Sequence, residues 1–357
     1  MADWNLIHVM DLALCVGLLA SLLSVVGLLG ARWFRSSADR HCWLLTTLVV
    51  ILVLPLAIVV LPRSLYPDFR LPVLNDLAFD WLSLESVRSV SPRELVGDAH
   101  GLVTLLLVAG CALWLLGVLP CLLRVACAWG QLKRVRLQGT PWRLPKQTSR
   151  YLKKKYGVKR LPQVILTGQV QNAITVGILH PQFMLNRSLV HELSDKQLRD
   201  VLDHEMAHVI RRDCLVMFLE QVARACHWCN PILQWLCNEL SRCREQMCDN
   251  HVLDARPAVA YGETLLRVAE LSLGERVCQR FVAMLSRWSD LRWRMQAILD
   301  PRQQRTALIG RWGRFVMVFS ILFCGWLVGG VSFIANRAER QIDSRSQSDA
   351  RLVETTR

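Results

Sequence analysis

Four blocks of sequence, about 6–29, 43–61, 101–123 and 315–335, constrain the fold more than any other feature. Each is close to the ~20 residues that an α-helix needs to cross a hydrocarbon core of about 30 Å. The second, "WLLTTLVVILVLPLAIVVL", and the third, "GLVTLLLVAGCALWLLGVLPCLL", carry no charge. A helix in a water-soluble core needs only one apolar stripe, so runs this uniform are expected to face lipid. The first block is too long for a signal-peptide core and has no basic segment before it, which makes it an uncleaved anchor. The expectation is a membrane α-helical protein with four transmembrane helices.

Lysine and arginine beside the spans set their orientation. From Arg124 to Arg160 there are twelve basic residues and no acidic one, and "RQQRTALIGRWGR" before the fourth block is basic again. Both flanks belong on the cytoplasmic side. The segment 62–100 balances its charges and belongs outside. The predicted organisation is an N-terminal three-span unit (1–127) with an outer loop (62–100), a cytoplasmic domain inserted at 128–314, a fourth span (315–335) and a short polar outside tail (336–357), with the N-terminus outside. The net charge of +14 then reflects topology and attraction to anionic headgroups, worth ~1 kcal/mol per cation. Membrane lipids are expected partners and direct nucleic-acid binding is not; the oligomeric state is not written in the sequence.

Thirteen cysteines would signal a disulfide scaffold in a small secreted protein, but here most fall in spans or in the predicted cytoplasmic domain, where thiols stay reduced. The "CHWC" pair at Cys226 and Cys229 has no second pair at the same spacing, so the group from Cys214 to Cys248 reads as small buried side chains rather than a four-thiolate metal site.

Within 128–314 the runs "LPQVILTG", "NAITVGIL" and "FMLN" predict a small sheet. Next comes "LSDKQLRDVLDHEMAHVIRRD", which opens with Ser194 and Gln197 at capping-box spacing and continues with apolar residues at helical intervals. His204 and His208, four apart, lie on one face of that helix and can share a metal ion. Glu205 lies about a hundred degrees around the helix, where it can reach a metal-bound water without being a ligand. Arg211, Arg212 and Asp213 read as the exposed end of the helix.

A catalytic zinc site needs a third protein ligand. The helix beginning after "HWCN", with Asn230 as cap and Pro231 at its first position, offers Glu245, with Asp249 one turn on to accept a hydrogen bond from a ligand histidine. His227, Glu239 and His251 are rivals to Glu245. The strand "AITVG" (Ala173, Ile174, Thr175, Val176 and Gly177) is a candidate for holding a peptide substrate as an added strand.

These segments together resemble the BlaR/MecR-type membrane zinc peptidases. "LSDKQLRDVLDHEMAHVIRRD" is similar to that family's zinc helix, "HWCNPILQWL" to its His-Trp-x-Asn-Pro segment, and "REQMCDNHVL" to its third-ligand helix. "AITVGILHPQFMLN" resembles the strand pair that precedes the zinc helix, and "YGETLLRVAE" resembles a later helix. The resemblance implies a gluzincin-like α+β peptidase domain with one catalytic Zn2+ on His204, His208 and Glu245, Glu205 as catalytic base and Asp249 behind a ligand. It also implies the cytoplasmic membrane of a bacterium and a protein substrate, either a transcriptional repressor or the chain itself, cut in regulated proteolysis. The family's sensing members carry a penicillin-binding domain after the fourth span, and this sequence ends about twenty residues beyond that span, so β-lactam sensing is not expected. Two other readings compete: a housekeeping quality-control protease of the HtpX type, and a zinc-containing signalling or scaffold protein that does not cut. Against the first, no uncharged stretch of membrane length separates His208 from Glu245. Against the second, a structural zinc site has no use for Glu205.

Overall fold

The computed structural model describes residues 6–60, 99–273, 291–300 and 310. The predicted fourth span, the polar tail and nearly all of the outer loop lie outside the described residues. The first three apolar blocks fall in helices α1 (Leu6–Ala31), α2 (Ser37–Val60) and α3 (Ala99–Gln138). Among the described residues, Val108–Gln138 is the helix long and apolar enough to cross a membrane, and Val16–Ala31 is a shorter apolar helix. The structure is mostly helical with one small sheet.

α3 does not stop at the expected boundary near 127. It runs on through Lys133, Arg134 and Arg136 to Gln138, where β1 (Thr140–Trp142) begins. The sheet is completed by β2 (Gln163–Thr167), β3 (Ile174–Val176) and β4 (Gln182–Asn186), with α4 (Lys146–Tyr156) between β1 and β2. The strand order is β1-β2-β4-β3: β2 and β4 are parallel, and the two outer pairings are antiparallel. β1 is three residues long with a central proline, which is why no strand signal marks it.

Every residue of β4 is buried because both faces of the sheet are covered. Phe183 and Leu185 face Leu198, Val201, Leu202 and Met206 of α6 (Asp195–Ile210). Met184, with Ile165 and Val176, faces Leu132 and Val135 of α3. The basic end of α3 therefore roofs the sheet. A short helix, α5 (Arg187–Glu192), leads from β4 to α6. Ser194 and Gln197 form the expected capping box at the start of α6. At its far side, Lys155 Nζ lies 2.5 Å from both Asp203 Oδ2 and the His251 carbonyl, tying α4 to α6 and to the later helix that carries His251.

α7 (Asp213–Cys226) and α8 (Pro231–Leu253) form a hairpin, followed by α9 (Ala258–Leu273) and a helical stretch over 291–299. Asn230 caps α8, its Oδ1 accepting from the backbone amides of Ile232 and Leu233, with Pro231 next in line. The hairpin packs on α1 and α2: Ala20, Leu44, Leu48 and Ile51 share one core with Val216, Ala223, Leu233, Leu236, Leu240 and Cys243. The boundary between 127 and 128 thus separates segments of sequence, while their side chains form a continuous interior.

Candidate metal centre

His204 and His208 project from one face of α6, their rings 4.9 Å apart and nearly perpendicular. α8 crosses opposite them and supplies Glu245, whose Oε2 lies 3.5 Å from His204 Nε2 and whose Oε1 lies 3.8 Å from His208 Nε2. One ligand atom from each of the three residues falls within 4.8 Å of the others. Ligands at about 2.05 Å around a tetrahedral zinc stand about 3.4 Å from one another. The triangle is therefore close to the size zinc requires, and its donor set of two imidazoles and a carboxylate is one zinc accepts.

The ring nitrogens on the far side are also held. His204 Nδ1 faces Asp249 Oδ1 at 3.1 Å, and His208 Nδ1 faces Asp213 Oδ2 at 2.8 Å. A carboxylate on the far nitrogen fixes the tautomer so that Nε2 presents its lone pair to the metal. Asp213 was expected at the exposed end of a helix, and it is buried instead, with only 1% of its surface exposed. The cause is a sharp turn: Arg212 adopts the left-handed conformation (φ 56°), so α7 starts at once and aims its first residue back at His208. Arg211 is also drawn inward, its Nη1 donating to the Arg244 carbonyl at 3.1 Å and its Nη2 lying 3.4 Å from Asp213 Oδ1. Of the three residues only Arg212 is exposed.

The Asp249 carboxylate is shared. Tyr261 Oη donates to Oδ1 at 2.7 Å, and Arg294 donates to both oxygens at 2.9 and 2.5 Å. Arg294 Nη1 also lies 3.7 Å from Glu245 Oε2. Burial works against charge on Asp249, but the Arg294 guanidinium and the His204 hydrogen bond outweigh it and hold the carboxyl down at about 2. Glu245 is likewise held well below the usual carboxylate range, since the histidines and Arg294 overcome desolvation. His204 feels the converse: burial disfavours its cation, yet bonds to Asp249 and Glu245 raise it to about 9. Asp213 is lowered despite its burial, by His208 and Arg211.

Glu205 is not one of the three residues of the triangle and is held by Thr175, whose Oγ1 donates to its Oε2 at 2.6 Å. Thr175 stands in β3, at the edge of the sheet. Ala173, Ile174 and Thr175 line a cavity of about 290 Å³ together with the histidines, Glu205, Glu245, Tyr261 and Arg294. Val176 and Gly177, expected beside them, do not line it. Val176 belongs to the opposite face of the sheet. Gly177 makes the turn to β4 with φ 99°, and a side chain there would strike the His180 carbonyl.

The rival ligands are placed elsewhere. Glu239 pairs with Arg40 and Arg242, His251 stacks near Tyr156, and His227 caps the end of α7. Cys237 and Cys243 are small buried side chains as expected, but Cys248 reaches the site, with Sγ 3.3 Å from His208 Nδ1 and 3.6 Å from Asp213 Oδ2. Asp213, Tyr261 and Arg294 were missed as site residues. Tyr261 opens the helical segment "YGETLLRVAE", whereas no spacing rule connects Arg294 to Asp249.

A family model for the BlaR1 peptidase M56 matches residues 11–298, which takes in every element of this centre. The chain belongs to the BlaR1 peptidase M56 family. Members of that family are metallopeptidases, generally with zinc. Among curated relatives, the methicillin resistance mecR1 protein of Staphylococcus aureus is 24% identical over 170 residues, covering 44% of this chain and 28% of that protein. The regulatory protein BlaR1 of Bacillus licheniformis is 28% identical over 105 residues, covering 29% of this chain and 17% of that protein. The matched stretches span less than a third of the length of these relatives.

Proposed function

We propose that the chain is an integral membrane zinc metalloendopeptidase whose site faces the cytoplasm and cuts a cytoplasmic or membrane-associated protein in regulated proteolysis. The observation that carries this reading is the pairing of two features: a zinc-sized triangle of His204, His208 and Glu245 with a carboxylate behind each imidazole, and a separate carboxylate, Glu205, that is not spent on that triangle. A purely structural site would use a fourth protein ligand and leave no such base. Membership of the family supports the peptidase chemistry, and the basic run after Arg124 supports the cytoplasmic orientation.

When bound, zinc supplies the Lewis acidity that activates water and polarises a peptide carbonyl. His204, His208 and Glu245 hold it, and Asp249 and Asp213 keep the imidazoles turned to present Nε2. Glu205 takes a proton from the attacking water and delivers it to the departing amine, with Thr175 fixing the oxygen that is not working. β3 is the edge of the sheet beside the cavity, so an extended substrate can pair with its backbone while its side chains enter the space lined by Ala173 and Ile174. A transcriptional repressor or the chain itself is the substrate class the family resemblance supports.

The test is proteolysis in cells and in proteoliposomes, wild type against Glu205→Gln, read by N-terminal sequencing of fragments and by zinc content. Fragments should vanish in the variant while bound zinc stays at one ion per chain. Equal cleavage by both proteins refutes the assignment.

A further inference from the structure

The tip of the α7–α8 hairpin sits far along helices that the proposed function places in the bilayer, and two contacts gauge its depth. Asn230 Nδ2 donates to Ser21 Oγ of α1 at 3.1 Å. Ser21 is ten residues before the helix end at Ala31, about 15 Å at helical rise. On α3, Trp114 Nε1 donates to the Cys226 carbonyl at 3.1 Å, and Trp228 Nε1 donates to the Trp114 carbonyl at 3.2 Å. Trp114 is ten residues before Arg124, the first cation after the apolar run, again about 15 Å. Two helices with separate boundaries give one depth, about half of a 30 Å hydrocarbon core.

The hairpin is built for that position. Near its tip the large exposed side chains are aromatic, Trp228 at 37% and Trp235 at 54%, level with the exposed leucines of α3 such as Leu116 and Leu119; Cys229 and Pro231 are exposed between them, and Asn238 one turn beyond Trp235. The cation at this level, Arg224, is half-buried and paired with the neighbouring helix, its Nη1 donating to Gln234 Oε1 at 2.8 Å and its Nη2 to Asn238 Oδ1 at 2.9 Å. Glu220 and Arg244 pair with each other in the interior. An exposed charge, Arg242, comes only three turns beyond the tip of α8, beside the Glu239 that pairs with Arg40 just outside the second apolar block. Charged groups paired within the hairpin, large aromatics outward and an exposed cation only at the base make up the pattern that lipid imposes on a protein surface.

We infer that the α7–α8 hairpin is a re-entrant element, inserted from the cytoplasmic side to about the middle of the bilayer, with lipid acyl chains as the occupant of the surface that carries Trp235. This rests on α1 and α3 crossing the membrane. The hairpin also bears Asp213 and Glu245, so the metal centre would lie at the membrane surface, within reach of substrates held there.

The test is photo-crosslinking of the full chain in phosphatidylcholine/phosphatidylglycerol vesicles, with benzoylphenylalanine in place of Trp235. Leu115 of α3 (58% exposed) serves as a span reference and Leu179 (85% exposed), in the turn between β3 and β4, as an aqueous one. Lipid acyl adducts at 235 and 115 but not at 179, found by mass spectrometry of the purified protein, are expected. Adducts at 115 with none at 235 overturn the insertion and leave the spanning helices standing. Adducts at neither position overturn the spanning reading, and the insertion falls with it.

Discussion

Replacing Asp213 with alanine tests the centre more sharply than replacing a ligand, because Asp213 lies outside the three-residue triangle and reaches it through His208. Its Oδ2 accepts from His208 Nδ1 at 2.8 Å with almost no solvent contact. A hydrogen bond to a charged partner in such a setting is worth about 1.5–3 kcal/mol, because the alternative is an imidazole N–H buried without an acceptor. At ~1.4 kcal/mol per decade this is about a tenfold to hundredfold loss of zinc affinity, the range found for outer-sphere partners in general. Asp213→Asn, whose amide oxygen can still accept, should lose less. The assay is competition for zinc with a chromophoric chelator, with thermal unfolding of the metal-free protein as the control for folding. Cleavage should return towards wild type at saturating zinc, since Glu205 is untouched. Zinc affinity in Asp213→Ala within about twofold of wild type would refute the view that this carboxylate orients a ligand.

Glu205→Gln should retain zinc and the unfolding transition while losing at least the factor of about 10²–10⁴ that a general base supplies, as measured by fragment yield. Thr175→Val should lower turnover with little change in zinc affinity, since it removes the hydroxyl on Glu205 and leaves the three-residue triangle alone. Zinc uptake should depend on pH in a set direction. His204 without metal is raised to about 9, so below that pH a proton must leave for each ion bound, and affinity should climb as pH rises to about 9 and then level off. The same shift stabilises the metal-free fold fully below the ordinary histidine value near 6.5 and is lost as pH rises through about 9, which denaturation of apoprotein across that window can follow. Glu220→Ala, by stranding the buried Arg244 guanidinium, should cost about 3–5 kcal/mol in chemical denaturation without touching a metal ligand.

The parts of the centre legible in the sequence are those set by short-range periodicity. A spacing of four brings His204 and His208 together on α6, and the same spacing places Asp249 one turn beyond Glu245 on α8. Both helix starts are equally local, since Ser194, Gln197, Asn230 and Pro231 lie within a few residues of the amides they serve. Asp213 was misread because its role depends on one left-handed residue, Arg212, and arginine is no signal for that conformation. Arg294 and Tyr261 reach Asp249 through tertiary packing, to which no helical or strand period refers. The packing of α8 on α1 and α2 was hidden for a related reason: an apolar stripe announces that it will be covered, not by what. The apolar blocks explain themselves by lipid, so nothing in their composition asked for a protein neighbour.

The metal centre is assembled from two bodies. α6 carries both imidazoles and the base, whereas the α7–α8 hairpin carries Glu245 and both of the carboxylates behind the imidazoles. The hairpin shares its interior with α1 and α2, while α6 shares its own with the sheet. All three carboxylates that face the histidines thus ride on one element, and that element is anchored on α1 and α2. The centre is therefore a seam between two hydrophobic interiors, with the imidazoles belonging to one and the carboxylates to the other.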